Sequence, residues 1–142
     1  MKDCTSIEQG RMLVELGINP DTADKCWIAV GDASPVHYSL SLEQARENMM
    51  TVDKFLADIA KEKHPDALVP SWSLTALLAI INERFYTTLF HDGVAWNIKV
   101  IDHDNPEVKE RVYDNYPVNA CVKLIFLLKE NGQIPVVHKS QE

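Results

Sequence analysis

The sequence predicts an α+β domain in which two hairpins form an antiparallel sheet of about four strands, covered on one face by three or four helices. Three observations lead there. Residues 69–82 join a helix start signal to apolar residues at helical spacing, the runs 26–40 and 85–101 each read as strand, turn and strand, and Val118 to Lys129 holds nine apolar residues in twelve. With 142 residues, 46% of them hydrophobic and 25% charged, the chain suits one globular domain over 1–142 with a single core.

At the N-terminal end, Thr5-Ser-Ile-Glu8 reads as a capping box that starts a first helix. Met12, Leu13 and Leu16 give that helix a short apolar face, and Gly17 supplies the left-handed residue that closes it. Ile18 to Asp24 is an ordered turn. Cys26-Trp-Ile-Ala-Val30 and Val36-His-Tyr-Ser-Leu40, separated by Gly31-Asp32, form the first hairpin. Ser41-Leu-Glu-Gln44 then starts a seam helix in which Leu42, Ala45, Met49, Val52, Leu56 and Ile59 alternate spacings of three and four, and which ends before Pro65. A linker reaches Val69.

In the central helix Ser71 or Ser73 is the cap. If Ser73, then Trp72 and Leu77 occupy hydrophobic-staple positions, with Leu74, Leu77, Leu78 and Ile81 as the buried stripe. Phe85 to Phe90 and Val94 to Ile101 flank Asp92-Gly93, the strongest hairpin signal of the chain, and the Trp96, Ile98 and Val100 face should lie under the helices. Glu107 to Tyr116 has no firm period and reads as a loop with a helical turn. Pro117 suits the start of a last, deeply buried helix closed by Asn131-Gly132, and 134–142 reads as an edge strand or frayed tail.

The net charge is −7 and the Lys and Arg residues are scattered, an arrangement that disfavours binding to successive phosphates and so argues against a nucleic-acid partner. Ordinary solubility accounts for the acidity and is preferred to mimicry of nucleic acid or the meeting of a basic partner, which would also account for it. Cys4, Cys26 and Cys121 are odd in number and far apart, fitting reduced thiols rather than disulfides or a zinc ribbon. There is no apolar run of membrane-span length and no signal-type opening, so the expectation is a cytoplasmic protein without a membrane partner.

No phosphate loop, nucleophile elbow, His-Glu-x-x-His helix or dinucleotide fingerprint is present, and no cofactor is expected. The densest set of metal-ligand residue types is His91, Asp102, His103 and Asp104, whose His-Asp pairs offer a metal-dependent hydrolase as the alternative function. The hairpin itself argues against one shared site, because it sets His91 and His103 at opposite ends. The leading expectation is therefore a non-enzymatic protein-binding or adaptor domain. Its candidate contact residues are Met49, Val52 and Leu56 on the seam, which also offers a homodimer surface, together with Tyr113 and Tyr116 in the polar loop. Trp27, Trp72 and Trp96 read as core residues.

Cys4-Thr-Ser-Ile-Glu-Gln9, Leu16-Gly-Ile-Asn-Pro-Asp-Thr-Ala-Asp24, Val69-Pro-Ser-Trp-Ser-Leu-Thr-Ala-Leu-Leu78 and the apolar final helix resemble a family of small uncharacterised proteins of gut anaerobic bacteria and their phages or mobile elements. The resemblance covers both ends and the centre and sets residues 41–68 apart as a variable helical insertion. It implies a compact cytoplasmic domain of phage or mobile-element origin and carries no catalytic residues across.

Overall fold

The computed structural model describes residues 3–28, 36–38, 68–103 and 108–132 of the chain. The fold is α+β. In order come α1 (Ile7–Leu16), a 3-10 turn (Pro20–Thr22), β1 (Lys25–Ile28), β2 (Val36–Tyr38), β3 (Leu68–Ser71), α2 (Leu74–Asn82), β4 (Phe85–His91), β5 (Trp96–Asp102), β6 (Val108–Asp114) and α3 (Pro117–Glu130). Instead of one four-stranded sheet, the two hairpins head separate antiparallel sheets of three strands, ordered β2-β1-β3 and β4-β5-β6. Each hairpin recruits a third strand to its open edge, and among the described residues no strand pairing joins the two sheets.

Both recruited strands correct the sequence reading. Leu68 at the end of the expected linker and Val69 to Ser71 at the expected approach to the central helix form β3, which pairs Trp27 with Val69 and Cys26 with Pro70. The supposed loop 107–116 is β6, pairing Ile98 with Val112 and Lys99 with Arg111, with a register shift beside Val100. Tyr113 accordingly stands on a strand, and Tyr116 is the N-cap residue of α3. The seam of Leu42 to Ile59, with Met49, Val52 and Leu56, lies outside the described residues, as do the tail 134–142 and Asp104.

The first capping box is displaced by one residue. Ser6, not Thr5, caps α1, its Oγ accepting from the Gln9 amide at 3.2 Å while Gln9 Oε1 accepts from the Ser6 amide at 3.0 Å. Thr5 is fully buried and is bonded to residues of β1 and the end of β3. Its hydroxyl accepts from Trp72 N at 2.9 Å, its amide donates to Trp72 O at 2.9 Å, and its carbonyl takes Trp27 Nε1 and Ser71 Oγ at 3.0 Å each. A side chain committed to a distant backbone cannot also cap its own helix.

Ser73 caps α2, its Oγ accepting from Ala76 N at 3.2 Å, and it is itself gripped by Asp24, whose two carboxylate oxygens accept from Ser73 N and Oγ. Trp72 and Leu77, the staple pair, are both fully buried, and Trp72 Nε1 donates to Thr22 Oγ1 at 2.9 Å. Trp72 is therefore a core residue with its one polar atom satisfied. Gly17 closes α1 at φ 107°, as expected of a left-handed cap.

The core lies between the helices and one face of the β4-β5-β6 sheet. Leu13, Trp72, Leu77, Ile81, Phe85, Ile98, Val100 and the inner residues of α3 from Val118 to Leu128 form one cluster. Trp96 shares the Ile98 face but sits half-buried at its end, with the His91 ring edge-on at 5.3 Å. Where α1 crosses β3 the approach is so close that only glycine fits: a Cβ on Gly10 would stand 2.2 Å from the Pro70 carbonyl oxygen. Among the described residues no helix is long and apolar enough to cross a membrane.

Candidate functional site

The metal-ligand residue types are not brought together. His91 pairs with Trp96 and Asp102 with Phe85, so the two ends of the β4-β5 ribbon lie about 20 Å apart at ~3.4 Å per residue. His91 Nδ1 accepts from Gly93 N at 3.0 Å, and the His103 ring lies 4.4 Å from that of Tyr86. Both histidines have local roles. Among the described residues no three His, Cys, Asp or Glu side chains converge as a metal site.

A constellation that the sequence conceals joins Cys4, His37 and Ser71. His37 Nε2 lies 3.2 Å from Cys4 Sγ and 3.2 Å from Ser71 Oγ, with the Trp27 ring 4.6 Å away. The Ser71 hydroxyl proton is already donated to the Thr5 carbonyl, so Ser71 Oγ accepts and His37 Nε2 carries the proton. Burial, then the nearby Lys25, holds the His37 pKa below its ordinary value, which leaves the ring neutral. A nitrogen already protonated cannot take the Cys4 proton, so this arrangement ties the N-terminal segment to both strands rather than activating a thiol. The other two thiols are inert by burial, Cys26 pushed up to about 11 and Cys121 to about 12.

The surface that stands out lies along β6, an edge strand of its sheet among the described residues. On the face of the sheet turned away from the core, Tyr86 and Tyr113 are 62% and 67% exposed, and the Arg111 guanidinium lies 5.9 Å over the Phe90 ring. Arg111 and Lys99 are direct cross-strand partners on that face. Beneath them Asn97, 3% exposed, is a fixed polar floor. Its amide donates to Asp92 Oδ2 at 3.0 Å and to Ala95 O at 3.2 Å, and its Oδ1 accepts from Arg111 at 3.4 Å. Asp92 also accepts from Val94 N and Ala95 N, and those two backbone bonds, with Asn97 next, hold its carboxyl at about 2. Asp92, Asn97, Arg111 and Tyr113, with Lys123 and the end of β6, line an open cavity of about 640 Å³.

Around the edge of β6, on the core side, a second cavity of about 560 Å³ opens between α1 and α3, lined by Met12, Val112, Val122, Phe126 and Leu127. Asp114 and Lys123 line both cavities and form the wall between them, with Lys123 Nζ 2.8 Å from Asp114 Oδ2 and donating to Tyr113 O at 3.2 Å. Partial burial opposes ionisation of Asp114, but the Lys123 and Tyr116 N donors and the Lys123 charge outweigh it and hold the pKa down. Gln9 extends the wall to α1 by donating to Asn119 Oδ1 at 2.9 Å. Such a surface can hold an extended chain, apolar at one end and polar at the other.

Tyr113, and beside it Tyr116 at 44% exposed, were legible from sequence as exposed aromatic residues. Met12, Phe126, Arg111 and Lys99 were not, because their partners are set by the sheet register and the helix crossing. Comparison with known proteins adds no family: no family model, curated protein or solved structure matches the chain.

Proposed function

We propose that the chain is a non-enzymatic protein-binding domain, of phage or mobile-element origin, whose partner lies along the groove between α1 and α3 and around the end of β6. The observation that carries this reading is the juxtaposition of an apolar groove of about 560 Å³ with the exposed rings of Tyr113 and Tyr116. Exposed tyrosines beside an apolar groove give a partner both an anchor site and large contact area at low entropic cost. A second copy of the chain is a partner of the same kind. Nucleic acid is disfavoured by the net charge of −7.

Affinity capture from the native host tests it, with the wild type against a Met12→Asp, Tyr113→Ala, Tyr116→Ala variant. The expected result is a protein that, once purified, binds the wild type directly and the variant at least about tenfold more weakly, equivalent to ~1.4 kcal/mol and modest for hot-spot residues. Equal capture by both proteins, or capture of nothing, refutes the reading.

A further inference from the structure

We infer that the segment this surface takes is an extended acidic peptide: an apolar side chain seated in the α1–α3 groove, followed after about three residues by carboxylates bound at Arg111 and Lys99. The inference rests on the binding role proposed above and adds the chemistry of the partner. It begins from an electrostatic oddity. Lys99 and Arg111 stand directly opposite each other on adjacent strands, a like-charge arrangement that disfavours the sheet, and among the described residues neither has a carboxylate partner. In a chain of net charge −7, two neighbouring cations without a carboxylate partner among the described residues place positive charge side by side on an acidic molecule, next to an Asp92 carboxylate already engaged by Val94 N, Ala95 N and Asn97.

Arg111 is also held in place. Its guanidinium lies over Phe90 and one nitrogen reaches Asn97 Oδ1, which is fixed in turn by Asp92, so the remaining N–H groups of the fork are presented in a defined orientation. A planar carboxylate is the group that matches such a fork with two parallel hydrogen bonds. Tyr113, largely exposed on the same face, flanks the spot and adds ring surface.

The spacing comes from the strand. Asp114, in the wall shared by the two cavities, is three residues from Arg111 on β6, or about 10 Å at ~3.3 Å per residue. An extended peptide therefore passes from groove to cations in about three residues. A single-stranded nucleic acid would find aromatic rings here as well. It has no apolar side chain for the groove, and its run of phosphates would meet the acidity of the rest of the chain, whereas a peptide brings one or two charges to the one place that receives them.

Selection from a library of random dodecapeptides on the full-length chain, with labelled oligothymidylate as a separate probe, tests this. The expected outcome is enrichment of peptides with a large apolar residue and Asp or Glu about three positions away. A Lys99→Gln, Arg111→Gln variant should bind them roughly tenfold or more weakly, as expected when charge-assisted hydrogen bonds are lost, and raised salt should weaken the wild type likewise. Circular dichroism of that variant should match the wild type and its melting should be no lower, since the substitutions remove a like-charge pair and strand no carboxylate among the described residues; should the double variant not fold, Lys99→Gln alone gives the same readout. Enriched peptides without acids, or with affinity indifferent to the substitutions, overturn the inference while leaving a binding role standing. No enrichment overturns both. Oligothymidylate bound more tightly than any peptide, and lost in Arg111→Gln, overturns it in favour of nucleic acid.

Discussion

Replacing Gly10 by alanine sets two effects of opposite sign against each other. Alanine in a helix interior is favoured over glycine by about 1 kcal/mol, so helix propensity alone predicts a more stable protein. The packing says otherwise. The new methyl would stand 2.2 Å from Pro70 O and 3.1 Å from Val69 Cγ1, whereas a comfortable C···O contact is about 3.3 Å or more. The obstructing atom is backbone and cannot rotate away, so α1 must retreat from β3 by about 1 Å. That retreat strains the Thr5–Trp72 pairing at the start of α1 and loosens the packing around fully buried Leu13, one turn along the same face. Overpacking of this kind costs typically ~1–3 kcal/mol, and an immovable backbone contact belongs at the upper end. The net expectation is a loss of about 2 kcal/mol, or a Tm lowered by roughly 4–8 °C for a chain of this size. Urea unfolding followed by tryptophan fluorescence measures it, with Glu15→Ala on the exposed side of α1 as a control expected to stay within about 0.5 kcal/mol. A Gly10→Ala protein as stable as the wild type, or more so, would show that the close crossing of α1 over β3 is not the native packing.

Two further predictions concern titration and thiol chemistry. The Asp92 carboxyl is held at about 2 against an ordinary 3.8, so its contribution to stability is present above pH ~4 and is lost as pH falls towards 2. Asp92→Asn should therefore be less stable than wild type at neutral pH and approach it at the acid end, and an equal difference across the range of acid unfolding curves would contradict the assignment. Among the three cysteines, Cys26 and Cys121 are buried with raised pKa values while Cys4 is half-buried, so a thiol reagent at pH 8 should label no more than Cys4 in the native protein and all three in denaturant. Rapid native labelling of a Cys4→Ser protein is the result that would count against this.

The parts of the fold legible in the sequence are those whose signals are local. Gly17, Ser73 with its Trp72–Leu77 staple, the two hairpins and the apolar last helix each depend on residues within a few positions of one another. What sequence did not reveal depends on distant partners. Thr5 looks like a cap until Trp72 claims its hydroxyl. Val69-Pro70-Ser71 looks like the approach to a helix start because Ser71 can cap and proline suggests a strand's absence, yet β3 lies at the edge of its sheet among the described residues, where a missing N–H is tolerated. β6 hides its alternation because only Val112 of its inward positions is strongly apolar while Glu110 and Asp114 turn to α3 and its end. The candidate surface was half visible: exposed tyrosines can be guessed from a polar context, but the pairing of Lys99 with Arg111 and the meeting of Met12 with Phe126 follow from register and helix crossing alone.

The first sheet has a consequence for the length of chain that can run between its strands. β2 and β3 flank β1 on opposite sides, with Tyr38 opposite Cys26 and Leu68 opposite Ile28, so the two points between which residues 39–67 run are held roughly 12 Å apart by the ladder itself. Once both anchor strands are in place, doubling the length of chain between them costs only about 0.6 kcal/mol in closure entropy. By that arithmetic a change in the number of residues between Tyr38 and Leu68 alters closure entropy little, while the β1 ladder keeps the two anchor points in place.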